Sequence, residues 1–215
     1  MRHITKAIIA GAALLAGTAC STVYYDTLEN FGIEKRDILV DRVKDGREAQ
    51  ADAQEEFKDA LTQFRELVAV DGGELEKKYD KMSGSYERLE READEVRDRI
   101  ASIESVGEAL FEEWEDELDL YQDAQLRSAS AGQLRDTRAQ YGQVVRAMNR
   151  AADKMNPVME LFEDRVLFLK HNLNARAIAG LSGELSTIEM RVDALIAEMD
   201  AAIAEANAFI DQMEA

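Results

Sequence analysis

The sequence predicts an all-α protein, an elongated antiparallel coiled-coil bundle of about four long helices. Three observations predict it. The 215 residues include one proline and 12 glycines, so little interrupts a helix. Apolar residues recur at alternating steps of three and four, the 3.5-residue period of helices that wind left-handedly around neighbours. The breaks in that pattern are few and short, and short turns force consecutive helices to run antiparallel. The 46% apolar content suffices to bury a core, unlike that of a disordered acidic chain.

The first element is a processing signal. Arg2 and Lys6 precede an apolar run from Ala7 to Ala16. A run of about ten residues is half of the ~20 that span a bilayer and fits a secretory signal peptide over 1–19. Gly17, Thr18 and Ala19 place small side chains before Cys20, the single cysteine. The junction resembles the lipobox of bacterial lipoprotein precursors, which is cleaved before a cysteine that then carries lipid. It departs from that pattern at Gly17, where lipoboxes hold a branched apolar residue. An ordinary small-x-small cleavage site fits Gly17 and Ala19 as well. Both readings cut before Cys20, and an unpaired thiol at a new N-terminus is otherwise a liability in an exported protein.

The lipobox resemblance implies several acyl chains, palmitate among them, on Cys20, and two or more chains suffice for stable anchoring. Ser21 after Cys20, with no Asp there, implies by the same analogy the periplasmic side of the outer membrane. Loss of residues 1–19 removes Arg2, His3 and Lys6, leaving 24 basic against 44 acidic residues, a net charge of −20, and one histidine, His171. Residues 20–32 then form a linker ending at Gly32. Its Tyr24, Tyr25 and Phe31 either rest at lipid headgroups, where aromatic rings are at home, or pack on the bundle end.

A single helical domain follows over 33–215. Helix 1 is expected at about 33–70. Gly46, Gln50 and Ala53 thin its seam, which marks either a place where it detaches or close packing. "DGG" at 71–73 is a turn signal. Helix 2 is expected at 74–127, with a seam from Leu75 through Met82, Leu89, Val96 and Ile103 and a looser continuation to Tyr121; "SASAG" at 128–132 ends it. Helix 3 is expected at 133–171, with Leu134, Arg138, Tyr141, Val145, Met148, Ala152, Met155, Met159, Phe162 and Leu169 on its seam. The spacing holds across Pro157, so that residue kinks the helix rather than ending it. "HNLNA" at 171–175 is a tight turn with Asn174 as N-cap, and helix 4 is expected at 175–213, with Gly180 and Gly183 weakening its start.

Charge supports the hairpin scheme. Residues 104–123 hold nine acids and no base, whereas 127–150 hold five arginines and one acid. Folding back near residue 130 brings the blocks together and places Asp116 near Val144. Exposed ion pairs contribute little each, ~0.2–1 kcal/mol, so the pattern selects register more than it stabilises.

Chemistry is sparse. The phosphate-binding Gly-x-x-x-x-Gly-Lys-Ser/Thr motif is absent. A di-metal carboxylate bundle needs Glu-x-x-His, and Phe168 stands where that Glu would be. His171, between Lys170 and Asn172, reads as a helix-end residue. Solvated heptad carboxylates have no shifted pKa to exploit. We expect no enzyme, no catalytic residues, no cofactor and no metal. The acidic balance disfavours nucleic acid, whose phosphates call for clustered Lys and Arg. The seam methionines 82, 148, 155, 159, 199 and 213 either fill a core or mark an adaptable apolar groove.

Four stretches, "EKRDILVDRV" (34–43), "EALFEEWEDEL" (108–118), "LRDTRAQY" (134–141) and "FLKHNLNARAIAGL" (168–181), resemble a family of uncharacterised proteobacterial lipoproteins catalogued as domain of unknown function 2959. The resemblance covers nearly the whole mature chain. It implies a secreted coiled-coil protein and brings no activity or cofactor. The expected function is that of a non-enzymatic periplasmic coiled-coil lipoprotein, an envelope scaffold, spacer or protein-docking rod. Its expected partners are the membrane, through lipid on Cys20, and a protein of the cell envelope; its seams also suit a homo-oligomer. The alternative is a periplasmic chaperone or carrier that opens its Met-rich bundle around an apolar client.

Overall fold

A computed structural model of the chain describes residues 34–69 and 74–215. The expected signal peptide, Cys20, the aromatic residues of the expected linker and "DGG" at 71–73 lie outside the described residues. Five helices follow in order: α1 (Lys35–Val68), α2 (Leu75–Leu118), α3 (Ala124–His171), α4 (Ala175–Ser182) and α5 (Leu185–Glu214). The fold is an all-α bundle. Helix α1 packs on α2, α2 on α3, α3 on α5, and α5 back on α1, closing a four-membered ring, while the short α4 rests on α1.

Ion pairs fix the antiparallel register of each neighbouring pair. Between α1 and α2, Lys35 meets Glu113 at 3.2 Å, Asp45 meets Arg99 at 3.6 Å and Glu56 meets Arg88 at 2.8 Å. Between α1 and α5, Lys44 meets Glu214 at 2.6 Å and Arg65 meets Glu189 at 2.7 Å. Between α3 and α5, Lys154 meets Glu198 at 2.6 Å, and Arg165 pairs with Glu184. At ~1.5 Å per residue, α3 alone spans roughly 70 Å, so the molecule is a rod.

Inside the ring the seams are filled as their spacing predicts. Met82, Leu89, Ala93, Val96, Ile100 and Ile103 of α2 are buried, as are Val192, Leu195, Met199, Ala202, Ala206 and Phe209 of α5. Five of the six seam methionines are buried, and Met159 is half-buried against the core. They fill the interior. Across the ring, Phe64 of α1 meets Phe162 of α3 edge-on, with centroids 6.5 Å apart.

The thin stretch of α1 is a site of close packing. A Cβ on Gly46 would stand 2.7 Å from Ile103 Cδ1 and 3.4 Å from Met148 Cε. Ala53 is fully buried, and Gln50, also fully buried, donates to the Met148 carbonyl at 3.5 Å while its Oε1 finds no partner. Such an orphan acceptor costs about 1–3 kcal/mol, so Gln50 does not maximise stability.

Four expectations need correction. Helix 2 does not reach residue 127: α2 ends at Leu118 and α3 begins at Ala124, nine residues before the expected start. "SASAG" is helical. Asp123 explains this, because its side chain accepts from the Gln125 and Leu126 backbone N–H groups and caps α3 at that point. Ser130 is then buried under Trp114, accepting its indole N–H at 2.8 Å. The hairpin register shifts accordingly. Asp116 does not lie opposite Val144; instead Glu115 pairs with Arg138, Asp119 with Arg127, and Glu104 accepts from Asn149 at 3.1 Å.

Arg138 is therefore no seam residue. It is exposed, and Thr137, Val144, Ala147, Ala151 and Val158 join the buried face of α3. That face is wider than a two-position seam because α3 is flanked on two sides. Finally, helix 4 is two helices, α4 and α5, separated at Gly183–Glu184. Pro157 lies inside α3, as its seam implied. Both Pro157 and Asp153, whose carbonyl loses its intrahelical donor, face solvent, where water replaces the missing bond.

Candidate functional site

The mid-section of the rod is ordinary bundle, and the ends are not. At one end the start of α1, the α2–α3 hairpin and the finish of α5 converge. Lys35 is 2% exposed and pairs with Glu113. Arg36 donates to the Met213 carbonyl. Beside them Tyr141 packs on Phe111 at 5.1 Å between centroids and on Phe209 at 6.5 Å. Its hydroxyl donates to the Ile103 carbonyl at 3.4 Å. Burial, reinforced by Glu104 and Glu108, pushes the Tyr141 hydroxyl up to about 12.

Gly107 makes this packing possible, since a Cβ there would lie 2.5 Å from the Tyr141 ring. Arg138 lies 5.0 Å over Phe111, a cation–π contact, and its hydrogen bond and charge hold Glu115 below the usual carboxylate range. Past this packing the α2–α3 turn projects, with Leu120, Tyr121 and Leu126 exposed.

At the other end α3 stops, and α4 and α5 fold back on it. Asn174 caps α4 as its sequence predicts, accepting from the Arg176 and Ala177 backbone N–H groups. Arg165, with 17% of its side chain exposed, clamps Glu184, the residue between α4 and α5. The elbow encloses an open cleft of about 490 Å³ lined by Phe168, Asn172, Arg176 and Leu181 among others. Arg176 makes no ion pair among the described residues, and Leu167, next to Phe168 in the sequence, is exposed. An unpaired guanidinium next to an aromatic face and a leucine can hold a carboxylate and an apolar group together.

The expected helix-end residue His171 is the last residue of α3, exposed, with no side-chain hydrogen bond among the described residues. No group of three or more metal-ligating side chains occurs among the described residues. No described helix is long and apolar enough to cross a membrane. Cys20, the expected lipidation site, lies outside the described residues.

The four stretches that carry the family resemblance fall at these ends. Residues 34–43, 108–118 and 134–141 meet at the first, and 168–181 builds the second. A family model described as protein of unknown function (DUF2959) matches residues 24–213. The chain belongs to that family. No curated protein and no solved structure matches it.

The DUF2959 elbow was not singled out by the sequence motifs, yet a signal for it exists. Residues 165–183 contain Arg165, Lys170, His171 and Arg176 and no acid, in a chain with 44 acids among 215 residues. It is the counterpart of the base-free run at 104–123. The two runs occupy opposite ends, and the acidic one faces the five arginines of residues 127–150.

Proposed function

We propose that this protein is a non-enzymatic, lipid-anchored rod on the periplasmic side of the outer membrane. It holds a protein-docking surface, the elbow cleft, away from the bilayer. One observation carries the reading. The bundle begins at Lys35, fifteen positions after Cys20 in the sequence, while the elbow cleft lies at the opposite end of α3, roughly 70 Å away. A tether at one end and an open cleft at the other suit a spacer that presents a partner site. The partner chemistry that fits is a protein segment carrying a carboxylate beside an apolar side chain, for Arg176 and Phe168 respectively. The carrier alternative asks the bundle to open where its methionines are sealed.

Two experiments in cells test this. A Cys20→Ala chain should mature poorly and leave the membrane fraction; normal maturation with membrane retention would remove the lipid anchor. A photo-crosslinking residue at Phe168 should capture one envelope protein, and Arg176→Glu should abolish that capture. Stoichiometric binding of an apolar reporter dye to the folded, delipidated protein would instead favour the carrier.

A further inference from the structure

The α2–α3 turn is the most exposed apolar feature among the described residues. Leu120 is 74% exposed, Leu126 58% and Tyr121 41%, and all three lie within seven residues at the tip of one hairpin. Single exposed apolar residues are ordinary; three on one projecting turn are not. The tip also stands proud of its neighbours. The first turn of α1 lies level with Glu113, and the end of α5 lies beside Gln133 and Thr137. Residues 115–132 therefore project beyond both, by roughly 10 Å at ~1.5 Å per residue.

We propose that this turn docks into the interfacial layer of a zwitterionic bilayer. It would be a second, shallow contact that sets how the rod stands on the membrane to which Cys20 tethers it. The proposal rests on the lipid-anchor reading above. Its argument is where the chain outside the described residues leads. Thirteen residues lie between Cys20 and Glu34, a reach of at most about 50 Å, and Glu34 lies at the same end as the turn. A rod tethered there meets the bilayer tip first. Leu120 and Leu126 supply apolar surface, and Tyr121 supplies a ring with a polar edge suited to the headgroup layer.

The surrounding charge selects the surface. Glu115, Asp116, Glu117, Asp119 and Asp123 flank the turn, with Arg127 as the one base between residues 104 and 134. That collar repels an anionic leaflet and a second copy of the same tip, and leaves a neutral headgroup layer as the compatible surface. Three side chains are too few to hold a soluble protein on lipid. They suffice for a chain whose tether already supplies a high local concentration.

The test uses an artificial tether, so it does not depend on natural acylation. The mature chain with Cys20→Ser and an N-terminal hexahistidine is bound to phosphatidylcholine vesicles through a small fraction of nickel-chelating lipid. A fluorophore is placed at Gln122→Cys in the turn, or at Ser186→Cys near the elbow, and the acyl chains carry a quencher. Emission from position 122 should shift to the blue and be quenched; emission from 186 should not change. Leu120→Ser with Leu126→Ser should abolish the quenching while melting temperature and helicity stay the same, since both side chains are exposed. Anionic lipid should weaken the effect and salt restore it. Equal, unquenched emission at both positions would overturn the proposal while leaving the Cys20 anchor standing. Membrane retention of Cys20→Ala in cells would remove the anchor while leaving the vesicle result standing. Crosslinks from position 122 to a protein, with no quenching by lipid, would assign the turn to that protein instead.

Discussion

The two ends of the rod reverse the chain by different means. At the hairpin tip the turn is short and acidic, capped by Asp123, and its apolar residues point outward. Nothing folds over it among the described residues. At the elbow the reversal takes a capped turn, an eight-residue helix and a second break at Gly183, with Arg165 holding Glu184 from below. The apolar residues of that short helix, Ile178 and Leu181, point inward. The first reversal costs the core little and leaves an exposed tip. The second consumes core residues and leaves a cleft. A coiled coil thus carries its distinctive surfaces where the heptad pattern stops, because a continuous seam leaves only solvated faces along the shaft.

That contrast can be broken from the inside first. Phe162→Ala, in the core near the elbow, removes a ring packed edge-on against Phe64 and should cost about 3–5 kcal/mol, measured by chemical denaturation. Gly107→Ala acts at the tip end and should cost about 1–3 kcal/mol through overpacking against Tyr141. Pairing it with Tyr141→Leu should recover part of that loss. If Gly107→Ala is neutral, Tyr141 is free to move and the tip end is looser than its packing implies.

Smaller changes separate the ends more sharply. Asp123→Ala and Asn174→Ala each remove a cap that accepts two backbone N–H groups, worth about 1 kcal/mol. Asp123→Ala should raise hydrogen exchange in the first turns of α3 and leave α4 unchanged, and Asn174→Ala should do the reverse. Exchange that rises at both ends in either variant would show that the rod opens as one unit.

The smallest effect is electrostatic. The hydrogen bond and charge of Arg138 lower the pKa of Glu115. A carboxyl group depressed in the folded state contributes stability above its unfolded pKa and loses it as pH falls toward the folded value. Glu115→Gln should therefore lower the melting temperature slightly at pH 7. The difference should close as pH falls below about 4.5, the ordinary value for this group. A difference that persists at low pH would mean that Glu115 acts through packing rather than charge.

The seams of helices α2 and α5 were legible because each presents one narrow apolar stripe, from Met82 to Ile103 and from Ile188 to Met213. The hairpin turn was displaced because serine and glycine at 128–132 resemble a stop, and composition does not reveal that Ser130 satisfies an indole N–H. Arg138 fell on the spacing of the α3 seam, but its charge keeps it outside, where it serves Phe111 and Glu115. The elbow cleft was illegible from periodicity. It exists only when residues 165–168 and 176–184 are folded against one another, a contact that no local pattern encodes. Its acid-free run was visible but says nothing of shape.

The continuity of α3 through Pro157 has a mechanical consequence. One unbroken helix of 48 residues joins the exposed tip to the elbow, and α2 and α5 brace it along most of that length. Such a member transmits rotation rather than absorbing it. If the tip pivots by about 5°, the far end of a ~70 Å beam sweeps roughly 6 Å, more than the width of a helical turn. A small change in how the tip sits would thus be read at the elbow as a displacement large enough to meet or miss a partner.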